Sequence, residues 1–127
     1  MKLASIDVGL KRIGVAICLA SNIVTPQNAI LRKNRDQAAR DVNTFLKEWE
    51  IDKLIVGLPS SSEDTQNRIK HFVGLLELKI PFEFQEENMS SIEAEEMIKG
   101  EIKYKRDGRV DSLAAKIILE RFLAKKP

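Results

Sequence analysis

The stretch Lys2-Leu3-Ala4-Ser5-Ile6-Asp7-Val8-Gly9-Leu10-Lys11-Arg12-Ile13-Gly14-Val15-Ala16 decides the fold. An apolar run broken by one carboxylate leads into a glycine turn, two cations and a second apolar run. Residues 2–8 are apolar on both parities, as in a central strand covered on both faces. Gly9-Leu10 supplies a turn, so the stretch reads as a hairpin with Asp7 near the tip of its first strand. A lone carboxylate there is costly unless something positive meets it. A metal ion serving phosphodiester chemistry would supply that charge, and further acids are then expected elsewhere in the chain.

Working outward, residues 11–20 place Ile13, Val15 and Ile17 on one face and Gly14, Ala16 and Cys18 on the other. A helix packed closely on the small face would explain that pattern. Residues 23–31 continue as a third strand, with Pro26 pointing to an edge or a bulge. Asn34 with Gln37 forms a capping pair, and Ala38, Val42, Phe45, Leu46 and Trp49 mark the buried face of the helix that follows. A short strand over 53–57 ends in Gly57-Leu58-Pro59, and Ile69, Phe72, Val73 and Leu76 stripe a second helix. Residues 81–87 form the last strand. Ser90 and Glu93 cap a helix running to about Lys99, residues 100–109 form a basic loop, and residues 110–124 form the closing helix. A three-strand meander followed by α/β alternation predicts one five-stranded mixed sheet with helices on both faces.

One domain spanning residues 1–127 is expected, since domains of about 100–150 residues are the commonest. Hydrophobic residues make up 43% of the chain, enough for a real core. The net charge of +2 is mild, so a nucleic-acid partner must be argued from where the charges sit. Residues 1–40 carry seven Lys or Arg against Asp7 and Asp36, and residues 99–127 carry nine against four acids. Between them, residues 83–96 hold six glutamates and no cation. Two basic segments flanking an acidic one suit a polyanion-binding rim around a metal centre, or simply solvated helix faces. A single cysteine, Cys18, excludes an internal disulfide and a cysteine-based zinc cluster. No run reaches the roughly 18 apolar residues of a membrane span, and Asp7, Lys11 and Arg12 break up any signal peptide. The expected location is cytoplasmic.

Three acids stand at functional-looking places. Asp7 ends the central strand, Glu86 and Glu87 end the last strand, and Asp111 opens the closing helix in phase with Ala114, Ala115, Ile118 and Phe122. The two alanines let that helix sit close to the sheet. Converging carboxylates repel, and Mg2+ or Mn2+ is the usual remedy. Each acid also has a plain structural use as turn cap, solvated side chain or helix-start residue. Glu86 is in phase with Phe82 and Phe84, Glu87 with Glu83 and Gln85, and the alternation by itself does not choose between them. Lys11 and Arg12 beside Asp7 suit a phosphate, as do Lys103, Lys105, Arg106 and Arg109 around Tyr104. Solvent-facing turns and loops are the plain alternative for both groups.

These residues resemble the YqgF/RuvX family of small RNase H-like nucleases, known as Holliday junction resolvases and as pre-16S rRNA nucleases. Asp7-Val8-Gly9-Leu10-Lys11-Arg12-Ile13-Gly14-Val15-Ala16 fits the family opening D-x-G-x-K-R-I-G-V-A, and Gly57-Leu58-Pro59 fits its GLP segment. Glu86-Glu87-Asn88-Met89-Ser90-Ser91 stands where D-E-R-x-T-T is usual, and residues 111–119 fit D-[DS]-x-A-A-x-x-I-L. The resemblance implies an RNase H-like fold and makes Asp7, Glu87 and Asp111 the catalytic, metal-holding acids, choosing Glu87 over Glu86. The chain departs from the family at Glu86, at Asn88 in place of Arg, and at Ser112, where some members have a second Asp.

The expected function is therefore a metal-dependent nuclease processing the 5′ end of pre-16S rRNA in ribosome biogenesis. A Holliday junction resolvase on branched DNA is the alternative, and a non-catalytic RNA-binding module a second. A sugar-kinase or actin-like ATPase shares the Asp-x-Gly hairpin but needs two lobes, and this chain has room for one. The expected partner is structured nucleic acid, not a membrane, and the expected state is a monomer or weak homodimer.

Overall fold

The computed structural model describes residues 1–20, 22–60, 62–86 and 112–125. Strands β1 (Leu3–Val8), β2 (Arg12–Cys18) and β3 (Thr25–Leu31) form the expected meander. Helix α1 (Arg35–Glu48), strand β4 (Lys53–Leu58), helix α2 (Glu63–Leu76), strand β5 (Phe82–Glu86) and helix α3 (Leu113–Ala124) follow. The five strands lie in the order β3-β2-β1-β4-β5, with β1–β2 and β2–β3 antiparallel and β1–β4 and β4–β5 parallel. The mixed sheet is the one the element order predicts, with β1 at its centre and the Pro26-bearing strand at its edge. The helix expected after Ser90 and the basic loop over 100–109 lie outside the described residues.

Each face of the sheet has its own core. Ala4, Ile6 and Val8 of β1, with Ile13, Val15 and Ile17 of β2 and Leu54 and Val56 of β4, pack under α1 and α2. Phe72, Ile69 and Leu76 of α2 and Val42 and Leu46 of α1 close this side. Each such side chain, fully withdrawn from water, contributes about 1.5–3 kcal/mol. On the other face Leu3, Ala16, Cys18 and Ile55 meet Ala115, Ile118, Leu119 and Phe122 of α3. The small face of β2 is thus where the closing helix packs, and Cys18 is a buried core residue as its position predicts.

Local chemistry accounts for the ends of these elements. Asn34 Oδ1 accepts from the Gln37 amide at 2.8 Å and the Gln37 side chain accepts back from Asn34, completing the capping box. Ser62 Oγ caps α2 by accepting from the Thr65 amide at 3.2 Å. Helix α3 begins at Leu113, later than its apolar stripe predicts. Its capping residue Ser112 makes no side-chain cap bond, because its hydroxyl is used on the sheet.

Candidate active site

Asp7 sits at the carboxyl-terminal end of the central strand and is partly buried. Strand parity puts it with Leu3 and Ser5, on the face covered by α3. Its antiparallel partner is Gly14, and two residues beyond the parallel pair Ser5–Ile55 the same face carries Gly57. Glycines therefore flank the carboxylate on the sheet surface and add no side chain beside it.

The turn following Asp7 is tight. The Gly9 amide donates to the Arg12 carbonyl at 3.0 Å. A Cβ at residue 9 would lie 2.6 Å from that same carbonyl oxygen, so glycine is required by close approach. Arg32, just past β3, ties the turn twice: its amide donates to the Lys11 carbonyl at 2.9 Å and its Nη1 to the Gly9 carbonyl at 2.9 Å. Lys11 and Arg12 are exposed on the tip, beyond the acid.

Two buried hydroxyls lock the start of α3 over this region. Ser5 Oγ donates to the Ala115 carbonyl at 2.6 Å. Ser112 Oγ accepts from the Val15 amide at 3.0 Å, and both serines are fully buried. The β2–β3 register shifts between Ile13 and Val15, and such a bulge takes a strand amide out of the ladder. A buried amide must find a partner, and the Ser112 hydroxyl is that partner. From there α3 crosses the sheet diagonally. Lys53 Nζ lies 5.2 Å from the centre of the Phe122 ring, and Lys125 Nζ donates to Gln85 Oε1 at 3.1 Å.

At the far side of the edge, β5 pairs Gln85 with Gly57 and Glu86 with Leu58. Gln85 is buried on the α3 face, whereas Phe84 and Leu58 pack against the core under α1 and α2. Glu86 follows the parity of Phe84, away from Asp7, and is exposed. Glu87 and Asp111, and with them Lys103, Lys105, Arg106 and Arg109, lie outside the described residues. Among the described residues no three His, Cys, Asp or Glu side chains gather as a metal site. No helix of the described residues is long and apolar enough to cross a membrane.

Ser5 and Arg32 are site-building residues that sequence reading passes over, and Ser112 one that it notes without its role as acceptor for the Val15 amide. Ser5 carries a signal in retrospect, as a hydroxyl in an apolar strand and in phase with Asp7. Arg32 carries none, because its tie to the turn depends on the β2–β3 register.

A family model described as "RuvX: Holliday junction resolvase" matches residues 1–125. A protein of Sulfurovum sp. (strain NBC37-1), named "Putative pre-16S rRNA nuclease", is 66% identical over 127 residues, covering 98% of this chain and 99% of the relative. A protein of the same name from Sulfurimonas denitrificans is 52% identical over 129 residues, covering 99% of both. Among solved structures, Thermus thermophilus RuvC in complex with a Holliday junction substrate aligns with a TM-score of 0.57 at 14% identity, over 98% of this chain and 97% of that one. The fowlpox virus Holliday junction resolvase aligns with a TM-score of 0.56 at 16% identity, over 97% of both chains. These likenesses show the RNase H-like fold of the resolvases, in agreement with the sheet described above.

Proposed function

The chain belongs to the RuvX family, and on that premise we propose that it is a metal-dependent nuclease that processes the 5′ end of the 16S rRNA precursor. The observation that carries the reading is the position of Asp7, at the end of the central strand and on the face where Ser5 and Ser112 lock the start of α3. Asp111 directly precedes the anchored Ser112 in the chain, so it is tethered within one residue of the strand that opposes Asp7. Glu87 directly follows Glu86 in the chain, and Glu86 itself is exposed and in phase with Phe84, away from Asp7. On this reading the three acids Asp7, Glu87 and Asp111 meet at one edge, Glu87 being chosen over Glu86 by the family resemblance and by the outward parity of Glu86.

Carboxylate oxygens without Cys or His suit Mg2+ or Mn2+. Asp7 fits such an ion, being held on a rigid central strand between glycines. When bound, the metal would activate a water and stabilise the leaving oxygen of the phosphodiester. The chain's own part is to fix the acids and to receive the flanking phosphates on Lys11 and Arg12, with Lys103, Lys105, Arg106 and Arg109 as further backbone contacts. A ribosomal precursor as substrate implies a cytoplasmic location for this reading.

The test is cleavage of a 16S precursor RNA and of a four-way DNA junction, with Mg2+ and then Mn2+. Wild type is expected to cut the RNA and Asp7→Asn to lose at least about a hundredfold in rate, some 2.7 kcal/mol of barrier. Equal rates for the two proteins would remove the catalytic assignment. The family model's own description favours a second reading, resolution of branched DNA. Preferred cutting of the junction, with a dimer in gel filtration when junction is added, would support it over the RNA reading. Tight RNA binding with no metal-dependent cut would leave a binding module.

A further inference from the structure

On the opposite face of the same edge, under α1 and α2, three arginines gather. The Arg32 guanidinium lies 5.4 Å from the centre of the Phe72 ring while holding the Gly9 carbonyl. Arg35, the first residue of α1, lies with its Nη1 3.2 Å from His71 Nε2, within hydrogen-bond distance. Arg68 lies one turn before Phe72 on α2, and its Nε is enclosed without a hydrogen-bond partner. None of the three arginines forms an ion pair with a carboxylate among the described residues. Burial, then the charges of Arg68 and Arg35, push Arg32 below the usual arginine range.

Arg32 has a structural use in tying the turn. Arg35 and Arg68 have none of comparable weight. Like charges gathered with no counter-ion among the described residues disfavour the folded state, and an enclosed Nε without an acceptor adds to that cost. An arriving anion relieves both, and guanidinium groups match phosphate oxygens in pairs.

We infer that Arg32, Arg35, Arg68 and His71 form a phosphate-binding patch that holds the nucleic-acid backbone on the far side of the hairpin from Asp7. Substrate then passes over the tip, with Lys11 and Arg12 between patch and acids. Arg32 links the two faces, since a phosphate at the patch acts on the turn through the hydrogen bond to Gly9. The identity of the anion as substrate rests on the nuclease reading above; the patch itself rests on these side chains.

The experiment is fluorescence anisotropy of the full chain with a labelled 16S precursor leader RNA, in EDTA so that no cleavage occurs, across a salt series. Arg35→Gln/Arg68→Gln is expected to weaken binding about tenfold or more and to reduce the slope of log Kd against log salt by about 1–2. Arg68→Lys restores charge without the planar fork, and is expected to recover the slope but only part of the affinity. If the double variant unfolds, exposed Arg35→Gln alone carries the test, with a slope reduced by about 1. A folded variant with unchanged Kd and slope overturns the patch. Parallel cleavage assays separate the two readings. Wild type that cuts RNA while the double variant binds normally sinks the patch alone. Wild type that never cuts, with binding weakened in the variant, sinks the nuclease reading and leaves the patch standing.

Discussion

The two faces of this sheet are built to different rules. Under α1 and α2 the strands present Ile6, Val8, Ile13, Val15, Leu54 and Val56 to Phe72 and its neighbours, a thick layer of large side chains. Under α3, beside Leu3 and Ile55, they present the small residues Ser5, Gly14, Ala16, Cys18 and Gly57, and the helix answers with Ala115 at its start. The first face holds the fold by volume. The second brings a helix close and fixes its position with hydroxyl-to-backbone bonds, and this is the face that carries Asp7. Closeness and fixed position are what the proposed set of converging acids needs, so on that proposal the difference separates stability from chemistry.

Removing volume should hurt the first face most. Phe72 is fully buried, and Phe72→Ala is expected to cost about 3–5 kcal/mol in chemical denaturation, enough to unfold much of a marginally stable domain. A loss below about 1 kcal/mol would mean that this face is not the one that holds the fold together.

The parity of β5 gives a sharper comparison. Glu87→Gln is expected to lower the cleavage rate at least about a hundredfold, while Glu86→Gln, whose exposed side chain is out of phase with Asp7, stays within about threefold of wild type. The reverse ranking would show that β5 turns over at its end and that Glu86 is the working acid.

Adding volume should hurt the second face. Ala115 is fully buried and its carbonyl receives the Ser5 hydroxyl. Ala115→Leu is expected to cost about 1–3 kcal/mol and to lower cleavage further than that stability loss explains, because the helix start is pushed off the strands. Full activity in a folded Ala115→Leu protein would mean that close packing of α3 is not needed for the chemistry.

Much of this was legible in the sequence. Alternation of large and small residues along β2 foretold which face the closing helix covers, and the Asn34–Gln37 spacing foretold the cap of α1. These features are local, set by periodicity over a few residues. The outward side of Glu86 was not legible, because it depends on which side of β5 faces α3, and that follows from pairing with β4. The arginine patch was invisible for the same reason. Arg32, Arg35 and Arg68 come from a strand end and two helices, and they meet only when α1 packs on α2. His71 reads as a surface residue, and it is exposed; its bond to Arg35 spans 36 positions of sequence.

Ser112→Ala should have a smaller effect on the rate than the acid variants and the most specific effect on the site. The variant leaves the Val15 amide buried without its acceptor, a cost of about 1–3 kcal/mol, partly relieved if water enters. A core defect of that size would leave catalysis of the folded fraction untouched. Here the lost bond is the one that pins the residue following Asp111 to the strand opposite Asp7, so the rate should fall about tenfold even where the protein is fully folded. Ser112→Thr retains the oxygen and adds a methyl group, so partial recovery of rate would separate loss of the hydrogen bond from loss of packing. If Ser112→Ala lowers the unfolding midpoint but not the rate, the serine is only a structural pin, and Asp111 must be positioned by something other than its neighbour.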